Sequence, residues 1–321
     1  MITRGIADEQ RGLRSTDDCR LFSMPELPEV ETIARGLASR VTGDVIESVW
    51  LGSKPEPLKS PAAQIVATLE SHSIKGVRRV GKHIVFDLEA THSGGRAPSP
   101  AKGRNKPRRT RSRKNRPIQG NTQPTAQWIV HLGMTGRMVV CPPDSEMAKH
   151  THLVAKLASG RELRFVDPRR FGRVSVAEGF EAGGSEPLEV QLDDFVSLFH
   201  GRKTPIKSAL LNQKLLRGVG NIYADESLFR AGIRPRRRAS SLTREDLRRL
   251  YPAVQEVLRE AIALGGSSVS DYVDADGEEG SFQLQHRVYG REGERCLVCK
   301  TPIKRVVIAG RSSHYCPKCQ K

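Results

Sequence analysis

The sequence predicts a multi-domain α+β protein, with an N-terminal β-sandwich and flanking helices, then a helical domain, then a small C-terminal hairpin module. Three observations support this fold class. Short β-rich runs recur between residues 45 and 176, helical periodicity replaces them beyond residue 190, and four of six cysteines crowd into the last 26 positions. A chain of 321 residues is long enough for two or three domains with real cores.

An amphipathic helix is predicted to open the fold. Val30, Ile33, Leu37 and Val41 recur at helical spacing after Pro28, which suits a first helical turn. The β-rich runs that follow lie at 45–50, 83–89, 128–132, 137–140, 152–157, 162–166 and 173–176. Many short strands at this spacing favour a sandwich or a barrel.

The second half of the chain is predicted to be helical. Periodic apolar residues indicate helices at 192–200, 205–216, 222–230 and 244–264, and Gly265-Gly266 ends the last of them. Pro252 should kink or divide that final helix, because proline lacks the amide donor that a helix interior needs.

Charge points to a polyanionic partner. Lys plus Arg number 53 and Asp plus Glu 36, so the net charge is +17. Ten basic residues and no acidic one fall between positions 96 and 116, in a stretch also rich in Pro, Gly and Ser, which predicts a disordered insertion over 90–126. This insertion is either a tether for polyanions or a solvated linker. The remaining +7 still favours nucleic acid.

Membrane and secreted classes are disfavoured by the sequence. No stretch approaches the roughly 18 uninterrupted apolar residues of a membrane helix, and the first 24 residues lack the apolar segment of a secretory signal. We therefore expect a cytoplasmic protein.

The terminal cysteines predict a metal site. Cys296 and Cys299 form one C-x-x-C pair, and Cys316 and Cys319 form a second pair 16 residues later. This is the spacing that closes a tetrahedral thiolate site around Zn²⁺, and a metal with four protein ligands has no open position for a reactive water. One structural zinc is the expectation, with Lys304, Arg305 and Arg311 on a hairpin between the two pairs.

A glycine-containing turn precedes the predicted helix at 222–230. Gly218 and Gly220 could let backbone approach a phosphate closely, beside the free N–H groups of a helix N-terminus. A generic helix–turn–helix packing corner explains the same residues, so the turn alone leaves both interpretations open.

Four separated motifs together resemble the formamidopyrimidine-DNA glycosylase family. They are MPELPEVE at 24–31, DPRRFG at 167–172, GVGNIYA at 218–224 and the terminal cysteine pairs. The resemblance runs from Met24 to the C-terminus and is interrupted only by the basic insertion. It implies a DNA glycosylase that removes oxidised purines such as 8-oxoguanine and formamidopyrimidines from duplex DNA, and that also cleaves abasic sites by β,δ-elimination.

The resemblance also assigns site residues. It implies that Pro25 is the N-terminal amine nucleophile, that Glu26 shuttles protons, and that Lys82 and Arg311 serve β- and δ-elimination. A flipped-out base leaves a vacancy in the duplex, which Met134, Arg169 and Phe171 would fill, with Arg169 facing the orphaned base. For Met134 and Phe171 an ordinary core role is the competing interpretation. Further implied DNA contacts are His150, Lys203 and Asn221.

The resemblance divides the chain into four parts: a dispensable N-terminal extension over 1–23, a catalytic β-sandwich domain over 24–190, a helix–two-turn–helix domain over 191–285, and a zinc finger over 286–321. We expect a monomer whose partner is double-stranded DNA with oxidised bases or abasic sites, without membrane association, and nucleoid-associated when bound.

The N-terminal extension is a departure from the family pattern. An internal Pro25 has its nitrogen locked in a tertiary amide, so we expect initiation at Met24 or processing that exposes Pro25. If Pro25 is not the mature N-terminus, a non-catalytic damaged-DNA binder is the alternative. The related endonuclease VIII branch of the same superfamily, which removes oxidised pyrimidines, is a second alternative.

Overall fold

The computed structural model describes residues 24–91, 126–268 and 280–321. The predicted N-terminal extension over 1–23 lies outside the described residues. So does the predicted insertion over 90–126, apart from its end residues. Within the described ranges, every helix is too short or too polar to cross a membrane.

The N-terminal half is built on one continuous sheet of eight antiparallel strands. Its elements are α1 (Leu27–Val41), β1 (Val45–Leu51), α2 (Ala62–Leu69), β2 (His72–Val80), β3 (His83–Ala90), β4 (Ala126–His131), β5 (Arg137–Cys141), β6 (Thr151–Leu157), β7 (Glu162–Val166) and β8 (Arg173–Ala177). The strand order is β5-β7-β6-β1-β2-β3-β4-β8, and every strand contributes to a single apolar core. The predicted multi-domain α+β class is confirmed, and β3 and β4, which flank the predicted insertion, are paired neighbours.

The second half is helical and ends in a hairpin. It contains α3 (Leu192–Phe199), α4 (Ile206–Leu210), α5 (Asn221–Arg230), α6 (Arg244–Ala263), β9 (Lys304–Ile308) and β10 (Arg311–Tyr315). β9 and β10 pair antiparallel and carry Lys304, Arg305 and Arg311, as predicted. Helix α6 begins with a capping box in which Thr243 accepts from the Asp246 N–H.

The two longest predicted helices had different outcomes. Helix α6 has nearly its predicted bounds and is not divided at Pro252, whereas a kink there stays a prediction. The helix predicted over 205–216 ends at Leu210, because side chains turn the chain there. The Asn212 carboxamide accepts from the Lys214 N–H at 3.0 Å, and the Gln213 carboxamide accepts from the Gly218 N–H at 2.8 Å.

Helix α1 joins the two halves. Leu27 belongs to the apolar core of the helical half, whereas Val30, Ile33 and Leu37 belong to the core of the sheet. The first turn of α1 therefore lies at the junction between the two cores, which fixes the position of the residues that precede it.

A buried ion-pair cluster reinforces the junction. Arg79 on β2 contacts Glu186 at 2.8 Å and Glu31 of α1 at 2.8 Å, and Arg217 contacts Glu186 at 3.2 Å. Arg79 and Glu186 are each only 7% exposed, so their charges are shielded from bulk water and are balanced by each other.

Candidate active site

A cavity of about 580 Å³ lies where the two halves meet. Its wall includes the residues before α1, the β2–β3 turn, the N-terminus of α5 and the β9–β10 turn. Of the predicted site residues, the wall brings together Glu26, Lys82, Asn221 and Arg311. The volume falls within the range of about 300–1,000 Å³ typical of small-ligand sites.

Glu26 is the buried carboxylate of this cavity. It is 3% exposed, its Oε1 accepts from the Ile222 N–H at 3.3 Å, and its own N–H donates to Glu29 Oε2 at 2.9 Å. Its second oxygen, Oε2, has no hydrogen-bond partner among the described residues. Burial raises the pKa of Glu26 to about 7, against the opposing attraction of Lys82. At neutral pH this group can therefore both give and take a proton.

The glycine turn before α5 accommodates protein atoms. A Cβ on Gly220 would lie 2.1–2.5 Å from the Glu26 carboxylate, and one on Gly218 would lie 2.9 Å from Leu27. These contacts support the packing interpretation that the sequence left open, and a phosphate contact at this turn stays a prediction. The two glycines let the residues before α1 dock on the N-terminus of α5, where the helix dipole favours a carboxylate.

Lys82 and Arg311 approach the cavity from two tight turns. Lys82 follows Gly81, whose φ is +61°, in the turn between β2 and β3, and Arg311 follows Gly310, whose φ is +75°. Burial lowers the pKa of Lys82, and the neighbouring Glu26 carboxylate counteracts this. A lysine with a lowered pKa exchanges protons near neutrality more readily than an exposed one.

Pro25 is half-buried beside Glu26, and Met24 before it lines the cavity. Asn221, the first residue of α5, donates through Nδ2 to Ser312 Oγ at 3.3 Å, which ties α5 to the hairpin that carries Arg311. Tyr289 completes this wall, and burial raises its pKa well above the usual range.

Met134, Arg169 and Phe171 form a second group on two adjoining loops outside the cavity wall. Phe171 is 52% exposed, and the guanidinium of Arg169 lies 5.0 Å from the centroid of its ring. Met134 is half-buried in the turn between β4 and β5. The exposure of Phe171 excludes the core role that its apolar side chain alone would indicate.

Asp167 organises these two loops, and the sequence analysis did not single it out for this. The fully buried carboxylate accepts from Thr135 Oγ1 at 2.5 Å, from the Arg169 N–H at 3.2 Å and from the Gly172 N–H at 2.7 Å. Its own N–H donates to the His150 carbonyl at 2.9 Å. One side chain therefore joins the Met134 turn to the Arg169–Phe171 loop.

Two other predicted DNA contacts also lie outside the cavity wall. His150 is exposed at the end of the β5–β6 connection, and Lys203 is exposed just before α4. Neither side chain contributes to the cavity, so any role for them is along a surface.

A buried ion pair behind the cavity was missed. Lys207 and Asp225 are 1% and 0% exposed and lie 2.7 Å apart, and Lys207 Nζ also donates to the Ser312 carbonyl at 2.6 Å. The Asp225 carboxylate accepts from the His314 N–H at 2.8 Å. This pair fixes the β9–β10 hairpin against α5. The sequence offers no signal for it, because a lysine on a short amphipathic helix is normally solvated.

The four terminal cysteines converge. The ligand atoms of Cys296, Cys299, Cys316 and Cys319 all lie within 4.8 Å of one another. Cys296 Sγ is 3.9 Å from Cys319 Sγ, and Cys299 Sγ is 3.4 Å from Cys316 Sγ. A tetrahedron of thiolates about 2.3 Å from zinc has S–S edges of about 3.8 Å, so the cluster fits one structural Zn²⁺.

Comparison with known proteins gives matches along nearly the whole chain. Residues 24–174 match the formamidopyrimidine-DNA glycosylase N-terminal domain, residues 184–273 its H2TH domain, and residues 293–321 the zinc finger found in FPG and IleRS. The formamidopyrimidine-DNA glycosylase of Solibacter usitatus is 42% identical over 308 residues, which cover 93% of this chain and 100% of that protein.

Solved structures agree with these matches. The Lactococcus lactis Fpg in complex with DNA containing an abasic site aligns with a TM-score of 0.76 at 30% identity, over 92% of this chain and 99% of that one. A complex of the same Lactococcus lactis protein with DNA containing Fapy-dG aligns with a TM-score of 0.75 at 30% identity, over 92% and 100% of the two chains. With three domain matches in order and a close relative over its full length, this chain belongs to the formamidopyrimidine-DNA glycosylase family.

Proposed function

We propose that Pro25, once it is the N-terminal residue, attacks C1′ of an oxidised purine nucleotide held in the cavity. The chain is a DNA glycosylase of oxidised-purine repair, and abasic-site lyase activity is a general property of its family. The observation that supports Pro25 is the adjacent Glu26 carboxylate, which is buried, has a pKa of about 7 and faces the same cavity as Lys82 and Arg311.

The nucleophile follows from amine chemistry. An α-amino group has a pKa of about 7.7–8, whereas a lysine side chain has one of about 10.4, so a much larger fraction is neutral at physiological pH. Attack on C1′ expels the base, and transfer of a proton to the ring oxygen opens the sugar to give a protonated Schiff base. Glu26, about half protonated near pH 7, is placed to supply that proton.

The strand is then cut by elimination. The iminium acidifies C2′, loss of the C2′ proton expels the 3′ phosphate, and a second elimination expels the 5′ phosphate. Lys82 suits proton transfer because burial lowers its pKa. Arg311 stays protonated and suits stabilisation of the phosphate that leaves. Asn221, at the N-terminus of α5, is placed to hold a neighbouring phosphate.

The exposed loops suit the vacancy in the duplex. Met134, Arg169 and Phe171 fill the space that the flipped nucleotide leaves, with Arg169 toward the orphaned base. His150 and Lys203 contact the backbone on either flank. An enzyme with this substrate works at the nucleoid, in the cytoplasm.

The family match supports a start at Met24, since the N-terminal domain match begins there. Removal of Met24 would free the Pro25 nitrogen and clear one side chain from the cavity. A chain that retains residue 24 keeps an amide at Pro25, and this favours the second candidate, a non-catalytic binder, for any such form. The relatives described above carry the formamidopyrimidine name, which favours oxidised purines over the oxidised pyrimidines of endonuclease VIII.

Borohydride trapping on duplex DNA with an abasic site tests the proposal. N-terminal mass spectrometry first establishes which residue begins the active protein, and peptide mapping then locates the adduct. We expect the sugar on the Pro25 nitrogen. An adduct on a lysine side chain, or an active enzyme that retains residues 1–23, would refute the mechanism. Absence of any adduct from protein with a verified Pro25 terminus would support the binder.

A further inference from the structure

A second cavity of about 590 Å³ lies on the surface of the sheet domain. The end of β1 and the start of β6 form its floor, and the loop after β7 forms one side. We call it the Trp50 groove, defined by Trp50, Gly52, Lys54, Lys149, His150 and Arg170. It shares no lining residue with the cavity that contains Glu26.

The groove is continuous with the loop expected to enter the duplex. Arg170 lines the groove and lies between Arg169 and Phe171, the two loop residues that we propose fill the vacancy. His150 is held to the same loop because its carbonyl accepts from the Asp167 N–H at 2.9 Å. DNA seated on Arg169 and Phe171 therefore passes beside the groove.

The charge of the groove suits a phosphate. Arg170 Nη1 lies 2.5 Å from Glu56 Oε1, so that cation is paired. Lys54 and Lys149 form no ion pair with any residue in the described ranges, and both line the groove. The Glu56 carboxylate also lies within electrostatic reach of Lys54, so Arg170 and Lys54 share this one acidic neighbour. With Lys149, the groove therefore keeps a net positive charge on one concave surface, which attracts a polyanion.

Trp50 adds an apolar surface to this charge. Its side chain is 49% exposed at the end of β1, in a chain with only two tryptophans. The indole lies over the backbone at Gly52, since a Cβ there would lie 3.5 Å from Trp50 Cη2. An exposed indole in a groove that also carries lysines can pack against sugars and bases while the cations hold the backbone.

We propose that the Trp50 groove binds the sugar-phosphate backbone of the duplex next to the lesion, with Lys54 and Lys149 on phosphate and Trp50 against the adjoining nucleotide. This inference rests on the proposed function. It extends the DNA-binding surface beyond Met134, Arg169 and Phe171 to the end of β1.

The test combines protein variants with neutralised phosphates. The probe is a duplex carrying a tetrahydrofuran abasic-site analogue, in which one phosphate at a time is replaced by a methylphosphonate. Binding of the active full protein is measured from 0.05 to 0.3 M salt for the wild type, Lys54→Ala, Lys149→Ala, Trp50→Ala and Trp50→Phe. Lys156→Ala, an exposed lysine on β6 outside the groove, is the matched control.

We expect each groove lysine variant to lower the log–log salt slope by about 0.9, equivalent to about eightfold in affinity at 0.1 M salt. A methylphosphonate at the contacted position should weaken the wild type by the same factor and leave Lys54→Ala or Lys149→Ala unaffected. Trp50→Ala should lower the affinity for DNA about fivefold, and Trp50→Phe should retain most of the wild-type affinity. Lys156→Ala should bind as the wild type does.

Two results would overturn the inference, and they differ from failure of the proposed function. If the groove variants had the same affinity and salt slope as Lys156→Ala, the groove would not bind DNA. The proposed function would still stand, provided that the wild type bound DNA and formed its trapped adduct. The inference would also be overturned if every methylphosphonate position weakened the groove lysine variants as much as it weakened the wild type. A wild type that neither bound nor trapped would instead refute the function itself.

Discussion

The replacement Gly220→Ala is the sharpest test of how Glu26 is held. Gly220 has φ −128° and ψ −162°, a conformation that alanine adopts without strain, so the backbone itself permits the change. The new Cβ would nevertheless lie 2.1 Å from Glu26 Cδ, where ordinary contact begins at 3.4 Å, so the carboxylate must move by about 1.3 Å.

A movement of this size should reduce the rate far more than the stability. A misplacement of about 1 Å can cost roughly 100-fold in rate, and we expect a loss of that order in Schiff-base formation. The cost in the free energy of unfolding should stay near about 1–2 kcal/mol, because the atom displaced is the end of a side chain.

Single-turnover trapping on an abasic duplex measures the rate, and denaturant unfolding measures the stability. Gly179→Ala is the matched control, since a Cβ there meets nothing within 4 Å. If Gly220→Ala formed the Schiff base within threefold of the wild-type rate, the position of Glu26 against α5 would not matter to the chemistry, and the reasoning would be wrong.

Three further predictions concern protonation, the metal and a buried pair. The rate of Schiff-base formation should follow a bell-shaped pH profile, falling at low pH as the Pro25 amine is protonated and falling above about pH 7 as Glu26 loses its proton. Glu26→Gln should lower this rate about 10²–10⁴-fold and abolish the decline above about pH 7. A profile that still rises at pH 9 would contradict this. Cys316→Ser should lower bound zinc and strand scission together, as metal analysis and gel assays would show, whereas Cys141→Ser, outside the cluster, should change neither. Lys207→Met should lower the free energy of unfolding by about 3–5 kcal/mol, because Asp225 is left buried and unpaired. Denaturant unfolding measures this change, and a loss below about 1 kcal/mol would be inconsistent with the pair as described.

Local pattern was sufficient for most of the strands and for the first helix. All seven predicted strands are present, because each carries apolar residues that face one core. Strand β2 (His72–Val80) was missed. Its Arg78 and Arg79 look like a solvated turn, yet they pair with Asp87 and Glu186, partners that lie elsewhere in the chain.

The same limit applies to the site. The family resemblance named Glu26, Lys82, Asn221 and Arg311, which line one cavity, and the spacing of two C-x-x-C pairs predicted the cysteine cluster. The role of Asp167 and the Lys207–Asp225 pair depend on contacts between distant segments, and burial of a charge leaves no mark on local periodicity. The helix predicted over 205–216 was too long for a different reason, since local hydrogen bonds of the Asn212 and Gln213 side chains turn the chain after Leu210.

Helix α1 has a consequence for how this enzyme tolerates mutation. Its first turn inserts Leu27 into the core of the helical half, while the turns after it are anchored in the core of the sheet. A substitution in that turn disturbs both the packing between the two halves and the position of the adjacent Glu26, because a single helical segment serves both. A substitution there affects both stability and activity, so fewer substitutions should be tolerated at these few residues than their burial alone would predict.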